Sequence, residues 1–476
     1  MKQDEMPDFL RNKNKFVLPS KMHPTQILVI GFLIVITLVT ILLTLPISSA
    51  SGESTSVITA LFTATSAVCV TGLSVVTTAT YWSLFGKIVI ICAIQIGGLG
   101  FMSLVSMLFV LLGKRITFKN RLIMQEALNL NTTAGVVRFT KMIVKGTLLV
   151  EGIGALLLTF IFVPEYGFIQ GVWYSIFHAI SAFCNAGFDL IGSAGLVPYV
   201  GNTLLNLVIM ALIILGSLGF SVWLDTCNTI SYKLKAPKHY TWKQAWGKLS
   251  LHTKLVYVIT AILLVVGALG IFLLEYTNID TLGGLTFKEK VLAAMFQSVS
   301  PRTAGFATID LASMTDTSKL LTMLLMFIGG SPAGTAGGIK TVTMGVLVIC
   351  AISTIKGQNQ VTIFKRRLSF NVISRALTIV MISVSVVVVV VSILSMTEAL
   401  PFMDIVFETI SAFATVGTTL GITSKLSLIG KLIIIVVMFI GRLGPITIAM
   451  ALTLRQNDKE KNKASIEYPE EKIMVG

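Results

Sequence analysis

Val70-Thr71-Gly72, Asn185-Ala186-Gly187, Thr303-Ala304-Gly305 and Thr415-Val416-Gly417 are four turns of small residues, each closing on a glycine. The glycines stand 115, 118 and 112 residues apart. Ten residues before them lie Phe62, Phe177, Met295 and Phe407, and six before them Ser66, Ser181, Val299 and Ser411. One such glycine reads as a helix cap or a packing contact. Four in register, each ending an apolar stretch too short to cross a bilayer, predict an internal repeat with one special backbone site per unit.

Outward from each turn the pattern is a long apolar helix, a short re-entrant helix, the turn, and a second long helix. The long helices are expected at 25–46 and 83–112, 138–163 and 201–231, 250–275 and 319–356, and 371–397 and 427–454. The short ones are expected at 55–68, 171–184, 288–300 and 402–414. At ~1.5 Å rise per residue such short helices reach about half-way through a ~30 Å hydrocarbon core. Two full crossings per unit return the chain to its starting side. Successive units therefore share one orientation and can surround a central axis. The expected fold is an all-α integral membrane protein of four parallel M1-P-M2 repeats, with eight transmembrane helices and four re-entrant pore helices around a central pore. The segments are a cytoplasmic amino terminus (1–24), repeat 1 (25–112), repeat 2 (138–231), repeat 3 with a broken second helix (250–356), repeat 4 (371–454) and a cytoplasmic tail (455–476).

Composition agrees with this class: 54% of residues are hydrophobic and 12% charged, with runs such as Ile27 to Leu45 and Ile379 to Ile393. The first apolar segment follows a basic stretch and lacks a small-residue cleavage site, so it reads as a crossing rather than a removed signal. The net charge of +15 is distributed by topology rather than as a nucleic-acid surface. Lys and Arg cluster before residue 25, from Lys114 to Lys145, from Lys233 to Lys254, from Lys340 to Arg375 and after Arg455, whereas Ile47 to Trp82 and Pro164 to Val200 contain none. The basic segments and both termini are thus expected in the cytoplasm and the glycine turns toward the outside, a rule cleanest in the first half. Five cysteines without metal-ligand spacing read as buried free thiols.

A turn after a re-entrant helix presents carbonyls, and rings of carbonyls can replace the hydration shell of a bare monovalent cation. Glycine suits such a turn because it accepts positive φ and lets the backbone approach an axis. Non-helical backbone at membrane depth is tolerated where it is buried in protein or lines a water-filled path. The carbonyl ends of the short helices add partial negative charge. No carboxylate occupies the triplets, so the acidic ring expected of a divalent-cation site is absent. Asp189 and Asp310 lie just beyond the second and third turns and would gather cations at the mouth, with Arg302 opposing them.

The second crossing of the third unit is interrupted by Gly329-Gly330-Ser331-Pro332-Ala333-Gly334-Thr335-Ala336-Gly337-Gly338-Ile339-Lys340-Thr341. Five glycines and a proline cannot continue a regular helix. The segment is either a packing kink or an intramembrane loop that blocks the path below the turns. Arg442 is the one Arg deep in an apolar crossing, which marks it for protein interior or water. It would resist cations, pair with the loop's carbonyls, or bridge to an acid such as Glu151.

These residues resemble a known family. The four turns, Ala182-Phe183-Cys184-Asn185-Ala186-Gly187-Phe188, Pro301-Arg302-Thr303-Ala304-Gly305-Phe306, Ser331 to Thr341, and Gly441-Arg442-Leu443-Gly444-Pro445 look like the Trk/Ktr/HKT superfamily of cation translocators, most like its bacterial potassium-uptake membrane subunits of the KtrB type. The resemblance implies potassium as substrate, with sodium as an activator, and no cofactor bound by this chain. It implies a filter of Val70, Thr71, Gly72, Asn185, Ala186, Gly187, Thr303, Ala304, Gly305, Thr415, Val416 and Gly417. The implied gate comprises Gly329, Gly330, Ser331, Pro332, Gly334, Thr335, Gly337, Gly338 and Lys340, with Arg442 as the pore arginine. It further implies a homodimer in the bacterial cell membrane, on a cytosolic ring of nucleotide-binding RCK subunits of the KtrA type. The tail, ending in the acidic then apolar stretch Glu467 to Val475, is expected to pack at the dimer interface or against the neighbouring protomer's inner surface. The first triplet begins with Val70 rather than Thr, and the third unit lacks the Ser-Ala-Phe approach of the second, so fourfold symmetry is approximate. The competing reading is a secondary transporter of a small organic solute, a class that usually shows inverted repeats. An enzyme is not expected, because His23, His178, His239 and His252 are scattered; His178 reads as a packed, hydrogen-bonded residue.

Overall fold

The computed structural model describes residues 24–100, 135–235, 241–358, 360–364, 366–445 and 447. The amino-terminal residues 1–23, the inner end of the first unit's second crossing (101–112) and the tail 455–476 lie outside the described residues.

Each of the four short helices is preceded by a long one. The pairs are α1 (Pro24–Thr44) and α2 (Val57–Val68), α4 (Val136–Tyr166) and α5 (Phe168–Cys184), α8 (Leu251–Glu275) and α9 (Phe287–Val299), and α12 (Phe370–Thr397) and α13 (Phe402–Phe413). All four long helices are long and apolar enough to cross a bilayer. Their surfaces match that solvent: α12 buries 17% of its most apolar stretch and α1 39%, leaving Val384, Val388 and Ile34 exposed. The short helices face inward. Phe62, Phe177, Phe296 and Phe407 are each fully buried on them.

In each unit the longer helix that follows the turn starts on a hydroxyl or amide cap, which satisfies a free backbone N–H. Ser83 begins α3 (Leu84–Leu99), Asn202 begins α6 (Thr203–Ser217), Thr315 begins α10 (Asp316–Phe327) and Ser427 begins α14 (Leu428–Leu443). Two of these caps are held by a Glu at or just past the end of the preceding long helix. Glu398 accepts from Ser427 N and Oγ. Glu275, fully buried, accepts from Thr315 N (2.9 Å) and Oγ1 (2.7 Å), Thr281 Oγ1 (2.6 Å) and Asn278 Nδ2 (2.7 Å). Glu275→Ala leaves those donors without their acceptor, which costs about 3 kcal/mol or more. We expect a clearly lower melting midpoint in detergent; an unchanged midpoint would show that water replaces the carboxylate freely.

Three expected helices differ in the structure, and for one reason. The crossings expected to run unbroken at 83–112, 201–231 and 427–454 are broken after Leu99, Ser217 and Leu443. Gly100, Gly219 and Gly444 follow at φ 78°, 92° and 85°, a backbone that ends an α-helix. After Ser217 the chain turns by 99° into α7 (Phe220–Lys235). The third unit breaks after α10 and resumes as α11 (Thr341–Ile355). Besides two isolated β-bridges, Ser49 with Trp82 and Ile328 with Ile339, a small antiparallel hairpin, β1 (Thr362–Ile363) with β2 (Arg366–Arg367), is the one sheet among the described residues. The cysteines are free, but Cys92 and Cys227 are exposed rather than buried.

Candidate functional site

The four glycine triplets come together. In each, the first residue and the glycine have positive φ: 57° and 94° at Val70 and Gly72, 60° and 69° at Asn185 and Gly187, 75° and 82° at Thr303 and Gly305, 51° and 93° at Thr415 and Gly417. The residue between them does not, and this alternation of hand turns successive peptide groups to one side. A Cβ on Gly72 would meet the Ala186 carbonyl oxygen at 2.5 Å, and one on Gly187 the Ala304 oxygen at 2.7 Å. At Gly305 the nearest atom would be the Val416 oxygen, and at Gly417 the Thr71 oxygen, closer still. Each glycine therefore abuts the middle carbonyl of the next turn in chain order, and the fourth abuts the first. The turns form a closed ring.

The short helices hold the ring through one serine each. Ser66 O, Ser181 O and Ser411 O accept from Thr71 N, Ala186 N and Val416 N at 2.8, 2.7 and 2.8 Å. The third unit corrects the sequence alignment: Ser300, not Val299, accepts from Ala304 N (2.9 Å), and Phe296, not Met295, is the buried aromatic. Phenylalanine and serine keep their four-residue spacing in every unit, and the third turn is one residue shorter. Serine hydroxyls add a second tie. Ser66 Oγ and Ser411 Oγ accept from Gly72 N (3.0 Å) and Gly417 N (3.1 Å), whereas Ser181 Oγ donates to Phe188 O (2.7 Å) and Ser300 Oγ to Phe306 O.

A second set of glycines, one per unit, packs behind the ring; the sequence reading names Gly329 in the gate and Gly441 in a motif, but neither Gly97 nor Gly216, and not the repeat they form. Gly97, Gly216 and Gly441 have no room for a Cβ, which would strike the Val68, Phe183 and Phe413 carbonyl oxygens at the ends of α2, α5 and α13. Gly329 packs likewise, against Gly337 O and the Thr303 side chain. The signal was present, since these glycines lie 119, 113 and 112 residues apart.

The interrupted segment of the third unit lies against the ring. Gly337 and Gly338 pack on Thr415 and Ala414. Its backbone fills the break of the second unit: Ser331 N donates to Ser217 O (2.9 Å), Thr335 N to Gly216 O (3.2 Å), and Phe220 N to Ala333 O (2.8 Å). Ser331 and Thr341 hydroxyls meet at 3.1 Å, and Lys340 Nζ donates to Ala336 O at 2.5 Å. Arg442 pairs with carbonyls rather than with Glu151. Its guanidinium donates to Thr335 O in the segment and to Gly97 O and Gly98 O of α3. Glu151 instead accepts from Gln95 Nε2 (3.0 Å), beside Cys184.

Outside the ring a cavity of about 630 Å³ is bounded below by Gly72, Gly187, Gly305 and Gly417. Among the described residues its charged lining is Asp189 and Asp310. Arg302 does not oppose them: it is buried, with its guanidinium toward Thr260 of α8.

The site is a closed ring of backbone turns at the buried ends of four short helices, beneath a cavity, the vestibule, lined by Asp189 and Asp310, in a membrane protein. Comparison gives the family. Residues 4–462 match the family model of TrkH, described as a cation transport protein. The potassium/sodium uptake protein NtpJ of Enterococcus hirae is 43% identical over 460 residues, covering 96% of this chain and 98% of that protein. The Ktr system potassium uptake protein B of Bacillus subtilis is 42% identical, covering 98% and 99%. The crystal structure of the potassium transporter TrkH from Vibrio parahaemolyticus shares the fold, with a TM-score of 0.68 at 20% identity over 89% of this chain and 84% of that one. The chain belongs to the TrkH family of cation transport proteins, is a multi-pass membrane protein and is not an enzyme.

Proposed function

We propose that this protein takes up potassium across the bacterial cell membrane, through a filter made by the four triplets of Val70, Asn185, Thr303 and Thr415. The observation that carries the reading is the cyclic contact of each filter glycine with the next turn's carbonyl. The names of the relatives, potassium/sodium uptake and Ktr system potassium uptake, support the choice of ion. Four parallel units around one pore follow as the proposed architecture. The segment from Gly329 to Lys340, tied by Arg442, is the proposed gate, since it packs on the inner flank of the fourth filter turn. Sodium enhancement, a homodimer and a cytosolic ring of RCK subunits complete the proposal. Being part of a "system" in the B. subtilis relative supports a partner.

Rubidium and potassium flux into liposomes holding the purified chain tests the reading. Uptake competed by potassium, but not by small organic solutes, is expected. Solute-driven uptake without cation flux would overturn it.

The vestibule makes flux depend on outside pH. Burial pushes the Asp189 carboxyl up to about 6, partly held down by the N–H groups of Gly192 and Ile191. As outside pH falls through about 6 this group becomes neutral and the mouth loses negative charge. Uptake at sub-saturating potassium should fall severalfold over that interval. Asp189→Asn should be slow at neutral pH and lack that step; a step that persists in the variant would assign it elsewhere.

A further inference from the structure

We infer that Glu408 is a positioning residue that sets ion discrimination by holding the fourth filter turn from behind, as His178 holds the second turn opposite it. The inference rests on the transport reading above. Glu408 is 1% exposed on α13, three residues before the anchoring Ser411. Its carboxylate accepts from Thr419 Oγ1 at 2.7 Å and from Thr423 Oγ1. Thr419 lies two residues past Gly417 and lines the vestibule, and its own oxygen accepts from Gly421 N (3.0 Å). The carboxylate thus ties the helix before the filter to the chain leaving it.

The same helix position in the second unit is His178, also three before the anchoring serine and fully buried. Its Nδ1 faces Tyr174 O at 2.7 Å, which places the proton there and leaves Nε2 to accept from Leu190 N (3.4 Å), three residues past Gly187. The other two units lack the tie. Thr63 bonds only to Thr59 O on its own helix, and neither amide atom of buried Gln297 has a protein partner. Since the turns contact one another in chain order, the second and fourth are opposite. The filter is therefore braced along one diagonal and unbraced along the other. A carboxylate buried with no cationic partner among the described residues is costly to keep, and Gln297 shows that a neutral side chain fits the equivalent place. Holding the carbonyls of Thr415 and Val416 at one distance from the axis is the role that repays it, because discrimination between cations depends on the carbonyl field they present.

The test compares potassium-to-sodium uptake ratios for the full-length chain in liposomes. Glu408→Gln and Thr419→Val/Thr423→Val are expected to lower the ratio about fivefold, with total cation flux per molecule retained. Glu408→Asp should restore part of it. Thr63→Val, altering the same helix position in an unbraced unit, is expected to leave the ratio within about twofold. Should Glu408→Gln fail to assemble, the double threonine variant leaves the carboxylate in place and still removes the tie. Wild-type protein without cation flux would sink the transport reading itself. A selective wild type with unaltered variants, or an equal loss in Thr63→Val, would overturn the diagonal brace alone.

Discussion

Serine at Gly72 or Gly305 should lower the potassium-to-sodium uptake ratio about tenfold or more while leaving a folded, membrane-inserted protein. The backbone at these positions has φ of 94° and 82°, a region where an L side chain costs about 1 to 2 kcal/mol. More important is space. The new Cβ would collide with the Ala186 or Val416 carbonyl oxygen, so the neighbouring turn must swing its oxygen aside. A differential loss of about 1.4 kcal/mol between two ions is already tenfold. The fold survives because the helices bury their surfaces elsewhere. Unchanged uptake ratios in both variants would remove the triplets from the ion path.

Arg442→Ala should raise potassium flux by about tenfold under conditions where the unaltered protein is held closed. Shortening the segment within Gly330 to Gly338 should do the same and lessen dependence on a cytosolic partner. The guanidinium fastens Thr335 to the carbonyls of Gly97 and Gly98, bridging the third-unit segment to the first unit. Charge-assisted hydrogen bonds of this kind contribute about 1.5 to 3 kcal/mol each, enough to shift a closed-to-open equilibrium by that factor. Flux at background in folded variants would mean that the segment supports the ring rather than obstructing it.

Much of this site was legible in the sequence, for a specific reason. A residue that combines positive φ with a neighbouring carbonyl where a Cβ would sit must be glycine in every unit, so Gly72, Gly187, Gly305 and Gly417 declare themselves by period, whereas Val70, Asn185, Thr303 and Thr415 take positive φ without that crowding. Gly97, Gly216 and Gly441 repeat as regularly, yet glycine inside an apolar helix has many innocent explanations, and the carbonyls they accommodate belong to other helices. The one-residue slip at Phe296 and Ser300 is hidden when the units are matched on the glycine, because the spacing that repeats in all four runs from aromatic to serine. Arg442 was visible as an anomaly, but its partners were not. Gly97 O lies 345 positions away, and a carbonyl carries no side-chain signature.

The contact between Gly417 and the Thr71 carbonyl bears on how the protein is made. Chain growth at ~5–20 residues per second puts roughly 20 to 70 s between synthesis of the first turn and arrival of the last. Throughout that interval Val70, a β-branched residue held at φ 57° in the finished protein, lacks one of its two flanking turns. The ring thus behaves as a late keystone: helices enter the bilayer in order, and the ring closes only when the final quarter arrives. A ribosome stalled before residue 400 would leave the ring open on one side, with Gly305 and the Thr71 carbonyl both lacking their neighbour in the fourth turn.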